Sequence, residues 1–289
     1  MGATVRLALI VALVAVALVG AIMFWFRATS LRVRTGPGPQ KLRRLADVPA
    51  EAWTRLQGKT IFFGHQSVGS NLVSGLQELE AGHKSLHLNI VATKDANKIV
   101  GPMLAHAPVG KNHYPESKIA EFQELLEGGL GEKADIAFFK FCYVDLKKTS
   151  DPDALLTVYG KAMDGLKARF PRVAFVHVTV PLRAPEKGLK EGIKRLLGRS
   201  PELDDNRVRA RYNHLLRERY SGKEPLFDLA LYETLGPEGL RHYSLRNGQE
   251  VPVLVPSYTD DGGHLNPMGR RQVAEQLLIE LLDLAGGSP

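Results

Sequence analysis

An acid and an imidazole stand three residues apart in Asp261-Gly262-Gly263-His264, and a serine closes the run Thr60-Ile-Phe-Phe-Gly-His-Gln-Ser67. Together these residue types can do acyl chemistry. A serine hydroxyl becomes a nucleophile when an imidazole takes its proton, and a carboxylate fixes which ring nitrogen is free to do so. The chain order Ser67, Asp261, His264 is the order such a set takes in other α/β hydrolases. Each motif alone is weak. Serine is a frequent helix N-cap, and a loop histidine is often structural or a metal ligand. A metal would need further ligands at suitable spacing around His264, and none is read there.

Both motifs sit where secondary structure would hold them rigidly. Four strand-forming residues, 60–63, run into Gly64, and a helical pattern of Leu72, Val73, Leu76 and Leu79 begins just after Ser67. A serine on a strand-to-helix turn has its hydroxyl at the carboxyl edge of the sheet. Its neighbouring N–H groups lie at a helix N-terminus, which favours developing negative charge. At the other end, Asn266 suits an N-cap and Pro267 the first helical position. Val273, Leu277, Leu278, Leu281 and Leu282 then form one apolar helical face.

Gly64-His65-Gln66-Ser67 and Asp261-Gly262-Gly263-His264 resemble the first and last blocks of the SGNH (GDSL-like) hydrolases, with Gly-His-Gln-Ser in place of Gly-Asp-Ser. The resemblance spans about residues 58–285. It implies a three-layer α/β/α sandwich around a mostly parallel, flavodoxin-like sheet of about five strands. It also implies a serine esterase or deacetylase with Ser67 as nucleophile, His264 as general base and Asp261 as its orienting acid. The substrate would be a small-molecule or carbohydrate ester such as an O-acetyl group, and neither metal nor organic cofactor is implied. In that family a Gly and an Asn complete the oxyanion hole. Here no Gly-x-Asn-Asp follows the central strand, where Phe141-Cys142-Tyr143-Val144-Asp145 stands instead; Gly110 and Asn112, before Pro115, are the candidates. Two alternatives stay open: an O-acetyltransferase using the same serine on a cell-surface polysaccharide, and a noncatalytic carbohydrate-binding domain on a decayed hydrolase fold.

At 289 residues, with 44% hydrophobic and 24% charged residues, the chain is an ordinary globular length and composition. The net charge of +7 is partly local, since Arg27, Arg32, Arg34, Lys41, Arg43 and Arg44 share one stretch. No basic-aromatic interleaving accompanies it, which argues against a nucleic-acid partner; an anionic membrane surface is the better match. Residues 7–26 carry no charge over twenty positions, long enough to cross a bilayer as a helix. The expected organisation is a short tail (1–6), a transmembrane anchor or signal peptide (7–26), a basic linker (27–55) and one hydrolase-like domain (56–289). The basic flank after the apolar run would retain the domain in the cytoplasm by charge alone. The family resemblance points to the extracytoplasmic side, which is the expectation adopted.

Within the domain, strands are expected over 60–63, 86–91, 134–141, 173–179 and 226–228. Helices are expected over 68–81, 116–126, 153–170, 206–220 and 267–284. Strands alternating with helices predict a parallel sheet covered on both faces, with ligands beyond the carboxyl ends of the strands. Residues 93–115 and 181–205 read as long irregular stretches. Asp260 is assigned to the turn. His65 is read as lining the site or sitting in a surface turn. Lys140, Tyr143 and Asp145 are read as possible substrate contacts, and Cys142 and His177 as core residues.

Overall fold

In the computed structural model, the chain is described at residue 10 and over 12–21, 32–34, 39–83, 86–185 and 201–286. A short strand β1 (Arg32–Arg34) precedes helix α1 (Ala50–Gln57). Strand β2 (Thr60–His65), helix α2 (Val68–Gly82), β3 (Ile90–Ala92) and β4 (Met103–Pro108) follow. Next come α3 (Pro115–Leu125), β5 (Ile136–Phe139), α4 (Pro152–Arg169), β6 (Ala174–Phe175) and β7 (His177–Val178). The chain closes with α5 (Pro201–Tyr220), β8 (Leu226–Phe227), α6 (Leu229–Thr234), β9 (Arg241–Arg246), β10 (Gln249–Pro252) and α7 (Pro267–Gly286).

Five strands form one parallel sheet in the order β3-β4-β2-β5-β6. Its edge continues through β7, which pairs in parallel with β8. Strand side chains alternate between faces, and the core divides accordingly. Ile61, Phe63, Ile136 and Phe138 pack on the face covered by α1, α2 and α7. Phe62, Ala137 and Phe139 pack on the opposite face with α3, α4 and α5. This is the expected α/β/α sandwich with a five-stranded parallel sheet.

Several expectations are corrected. β4 lies inside the stretch read as irregular, because its central positions are Ala105, His106 and Ala107, which carry little strand signal. A separate antiparallel sheet, β1-β9-β10, was not expected. Its turn is Asn247-Gly248, both at positive φ, the backbone that a two-residue hairpin demands. Of the stretch read as a linker over 27–55, the described residues 39–55 join the domain. Leu45, Trp53 and Leu56 are core residues, so the core begins well before residue 56. Arg43 and Arg44 pair with Asp283 and Glu275 of α7. Among the described residues no helix is long and apolar enough to cross a membrane. Part of the apolar run 7–26 lies outside the described residues, as does 186–200 of the second long stretch. Over 12–21 the run is helical, with Leu13, Val14, Val16, Leu18 and Val19 exposed.

Candidate active site

Ser67 sits at the carboxyl end of the central strand β2. From β2 the chain turns into α2 on one face, whereas from the adjacent β4 it continues into α3 on the other. The crevice between two such diverging connections is where parallel α/β sheets take ligands. Ser67 has φ 55° and ψ −116°, a backbone that a side-chain-bearing residue holds at a cost of order 1–3 kcal/mol. The sharp turn also demands Gly69. A Cβ there would lie 2.3 Å from that of His65. Although Ser67 occupies the N-cap position of α2, its side chain caps nothing. Its Oγ instead meets His264 Nε2 at 2.7 Å.

The loop between β10 and α7 supplies the other two groups. Asp261 Oδ1 accepts the backbone N–H groups of Gly263 and His264, each at 2.8 Å. Its Oδ2 lies 2.5 Å from His264 Nδ1. Burial alone would raise the Asp261 pKa, but the bonds from the His264 ring and from the His264 and Gly263 amides outweigh it. The carboxyl is held well below the usual carboxylate range. An ionised Asp261 accepts a hydrogen bond from Nδ1–H, leaving the Nε2 lone pair to face Ser67.

Arg183 braces this loop from outside, donating from Nε to Gly262 O and from Nη2 to Asp261 O, both at 3.3 Å. Asn266 caps α7 as expected, its Oδ1 accepting the Gly269 N–H at 3.1 Å. Asp260 makes only a turn contact, accepting from Asn266 Nδ2 at 3.3 Å. The site is shallow: the side chains of His264 and Asp261 are 45% and 56% exposed. A bulky ester can therefore reach the imidazole.

Of the two candidate oxyanion residues, Gly110 has its N–H engaged away from Ser67. The Gly110 N–H is spent on Glu121 Oε2 at 2.7 Å. Asn112 turns its Oδ1 to Lys118 Nζ at 3.0 Å. This loop reaches Ser67 indirectly, through Gln66, whose side-chain amide donates to the carbonyls of Val109 (3.2 Å) and Gly110. Gly110 is needed there for close packing, since at φ +62° a Cβ would run into the Lys118 backbone.

Buried polar groups support the crevice from below. Asp145 accepts from Lys118 Nζ (2.5 Å), His113 N–H (2.9 Å) and Cys142 N–H (2.6 Å). It ties the loop after β4 to the turn after β5 and is not a substrate contact. Lys140 is likewise buried, donating to Phe141 O and facing Cys142 Sγ at 3.3 Å. His65 is neither exposed nor in a surface turn. It is buried against His106, with ring nitrogens 3.0 Å apart, and burial together with His106 and Lys140 pushes its pKa down to about 3. His177 is a satisfied core histidine between Tyr159 (2.8 Å) and Glu224 (3.0 Å).

The sequence offers Tyr143 only as a possible contact. It lies directly against the triad, its ring edge-on to His264 at 5.9 Å. Among the described residues, no group of three or more His, Cys, Asp or Glu is placed to hold a metal ion.

No family model matches the sequence, and a search of curated proteins finds no match. Solved structures do match, and among them are GDSL-like lipases, the family whose blocks the sequence resembles. A GDSL-like lipase from Bacteroides thetaiotaomicron is 12% identical, covering 78% of this chain and 88% of that one, with a TM-score of 0.47. The periplasmic domain of a lipopolysaccharide acetyltransferase from Salmonella ser. Paratyphi A is 12% identical, covering 77% and 84%, with a TM-score of 0.40. The Ser67–His264–Asp261 line stands independently of these likenesses.

Proposed function

We propose that the protein is a serine esterase or deacetylase that hydrolyses a carboxylic ester, with an O-acetylated carbohydrate as the substrate class. One observation carries this: Ser67 Oγ, free of any capping duty, is 2.7 Å from an imidazole nitrogen whose ring is fixed from behind by Asp261. Ser67 attacks the ester carbonyl while His264 Nε2 takes its proton. The carbonyl π pair moves to oxygen, then returns as the alkoxide leaves and receives that proton from His264. Water repeats the sequence on the acyl-serine, releasing the acid and restoring Ser67. Asp261 stabilises the imidazolium throughout without becoming protonated. An aligned, hydrogen-bonded set weighs against a decayed, noncatalytic fold.

The open setting of His264 also admits a sugar hydroxyl in place of water, which would make the same acyl-enzyme a transferase intermediate. The full-length chain should hydrolyse an acetyl phenol ester and lose nearly all turnover as Ser67→Ala with its fold unchanged. Equal activity in the two proteins contradicts the proposal. Adding a sugar acceptor separates the outcomes: acetyl sugar formed at the expense of acetate marks the transferase.

The same proposal includes an N-terminal membrane anchor over 7–26, with the domain on the extracytoplasmic side. The uncharged sequence and the exposed apolar side chains over 12–21 support it. The full-length chain should stay with membranes through high-salt washing. Release by salt contradicts an anchor, and a mature N-terminus mapped after residue 26 identifies a cleaved signal peptide.

A further inference from the structure

The triad accounts for the proton, but the Gly110 N–H is spent on Glu121 and is not offered to the oxyanion. Tyr143 brings a side-chain donor to the same edge. It opens the 3-10 turn Tyr143–Asp145 just after β5, at the same carboxyl edge as Ser67. Its hydroxyl lies against the triad loop, where a Cβ on Gly263 would come within 2.9 Å of it. The ring stands edge-on to the His264 imidazole at 5.9 Å.

The ring is held on several sides. Arg183 lies 5.3 Å and Arg209 5.9 Å from its centroid, and Arg209 Nε donates to the Tyr143 carbonyl at 2.8 Å. A phenol fixed this way is a preorganised donor, which is what electrostatic stabilisation of an oxyanion requires. Burial raises the Tyr143 pKa even though Arg183 pulls it down, so the phenol keeps its proton at neutral pH.

We propose that the Tyr143 hydroxyl is a catalytic oxyanion donor, supplying a side-chain hydrogen bond where the Gly110 N–H is spent on Glu121. This rests on the hydrolase reading of Ser67. As the Ser67 Oγ–carbon bond forms, the carbonyl π pair becomes an alkoxide. Tyr143 donates a hydrogen bond to it and keeps its own proton, while the Ser67 proton goes to His264 Nε2. When the carbonyl re-forms, the bond to Tyr143 weakens again.

The test uses the full-length chain and an acetyl phenol ester. Tyr143→Phe keeps the ring and its packing between the arginines, so it removes one donor only. Loss of such a donor should lower kcat by about 10²–10³-fold with little change in KM. Inhibition by a trifluoromethyl ketone, which forms an oxyanion on Ser67, should weaken by a comparable factor. Binding of the product alcohol should not move. If Tyr143→Phe keeps wild-type kcat and inhibitor potency while Ser67→Ala is inactive, the Tyr143 assignment falls and the hydrolase reading stands. If Ser67→Ala is as active as wild type, both fall. Should Tyr143→Phe melt early, 3,5-difluorotyrosine in place of Tyr143 keeps the experiment decisive. Its more acidic phenol should move the alkaline loss of kcat toward neutral pH, because a phenolate cannot donate. An unmoved profile overturns the assignment.

Discussion

The Leu265 N–H donates to Asn71 Oδ1 at 3.1 Å, joining residues 194 positions apart in the chain. Asn71 lies one helical turn beyond Ser67, and Leu265 follows His264. This bond therefore ties the start of the Ser67 helix to the loop that carries His264. Behind it, α2 and α7 pack along their length, with Ala274 and the Arg270 backbone so close to Gly75 that a Cβ there would overlap them. The 2.7 Å contact between Ser67 and His264 is thus fixed by two rigid helices. Such placement, more than flexible loop contact, makes a hydroxyl–imidazole pair useful.

Asp261→Asn should lower turnover steeply, by about 10³–10⁴-fold, with substrate binding kept. Asn can still accept the Gly263 and His264 amides through its oxygen. Its NH₂ group would then face His264 Nδ1 and favour the tautomer with the proton on Nε2. That nitrogen can no longer take the Ser67 proton. Asp260→Asn should be mild, because Asp260 touches only Asn266. The two substitutions remove equal charge from adjacent positions, so steady-state kinetics on the pair separates orientation from a general field. A larger loss from Asp260→Asn at unchanged stability would move the acid to residue 260.

Ser67→Gly should melt at a higher temperature than wild type, whereas Ser67→Ala should not. At φ 55° the serine holds a backbone that glycine adopts freely. Relief of about 1–3 kcal/mol exceeds the roughly 0.5–1 kcal/mol entropic cost of glycine. A gain of a few degrees is expected, at about 2–4 °C per kcal/mol for a domain of this size. Both variants should be inactive. Calorimetry showing Ser67→Gly at or below the Ser67→Ala melting point would mean that the turn is unstrained.

Stability should fall as pH rises through the neutral range, because Glu233 is buried. Burial pushes its pKa up to about 8, against the hydrogen bond from the Leu182 N–H and the charges of Lys140 and Arg209. A carboxyl raised in the folded state holds a proton that the unfolded chain has already lost. Its contribution is full below about pH 4.3 and lost as pH climbs through 8. The slope is at most about 1.4 kcal/mol per pH unit. His65, lowered to about 3 by burial, works in the opposite sense: stability is present above about pH 6.5 and lost as pH falls toward 3. The two cancel between about pH 4.3 and 6.5, so the decline should begin above that range. Melting curves of Glu233→Gln should lack the decline between pH 6.5 and 8. A decline as steep as wild type would place the titration elsewhere.

The meeting of Ser67, Asp261 and His264 is legible because each lies in a local signature: a strand-to-helix turn for Ser67 and an Asp-x-x-His loop before an Asn-Pro helix start for the others. The layered parallel sheet was legible from alternating strand and helix patterns. What was not legible depends on distant partners. Nothing near Asn71 announces Leu265, and nothing near Glu233 announces the Leu182 amide. Gly110 reads as a plausible donor until Glu121, eleven residues on, is seen to occupy its N–H. The β9–β10 hairpin did carry its signal in Asn247-Gly248. It escaped because Arg, His and Ser dilute the strand pattern around it.

The central claim is that Ser67 is a nucleophile activated by His264. Treating the full-length chain with a fluorophosphonate and mapping the adduct by peptide mass tests this without knowledge of the natural ester. The account predicts one phosphonyl group per chain, located on Ser67. Labelling should be absent in Ser67→Ala and slowed by orders of magnitude in His264→Ala, with both variants folded. Labelling at another residue, or labelling of Ser67 at the wild-type rate in His264→Ala, would contradict it.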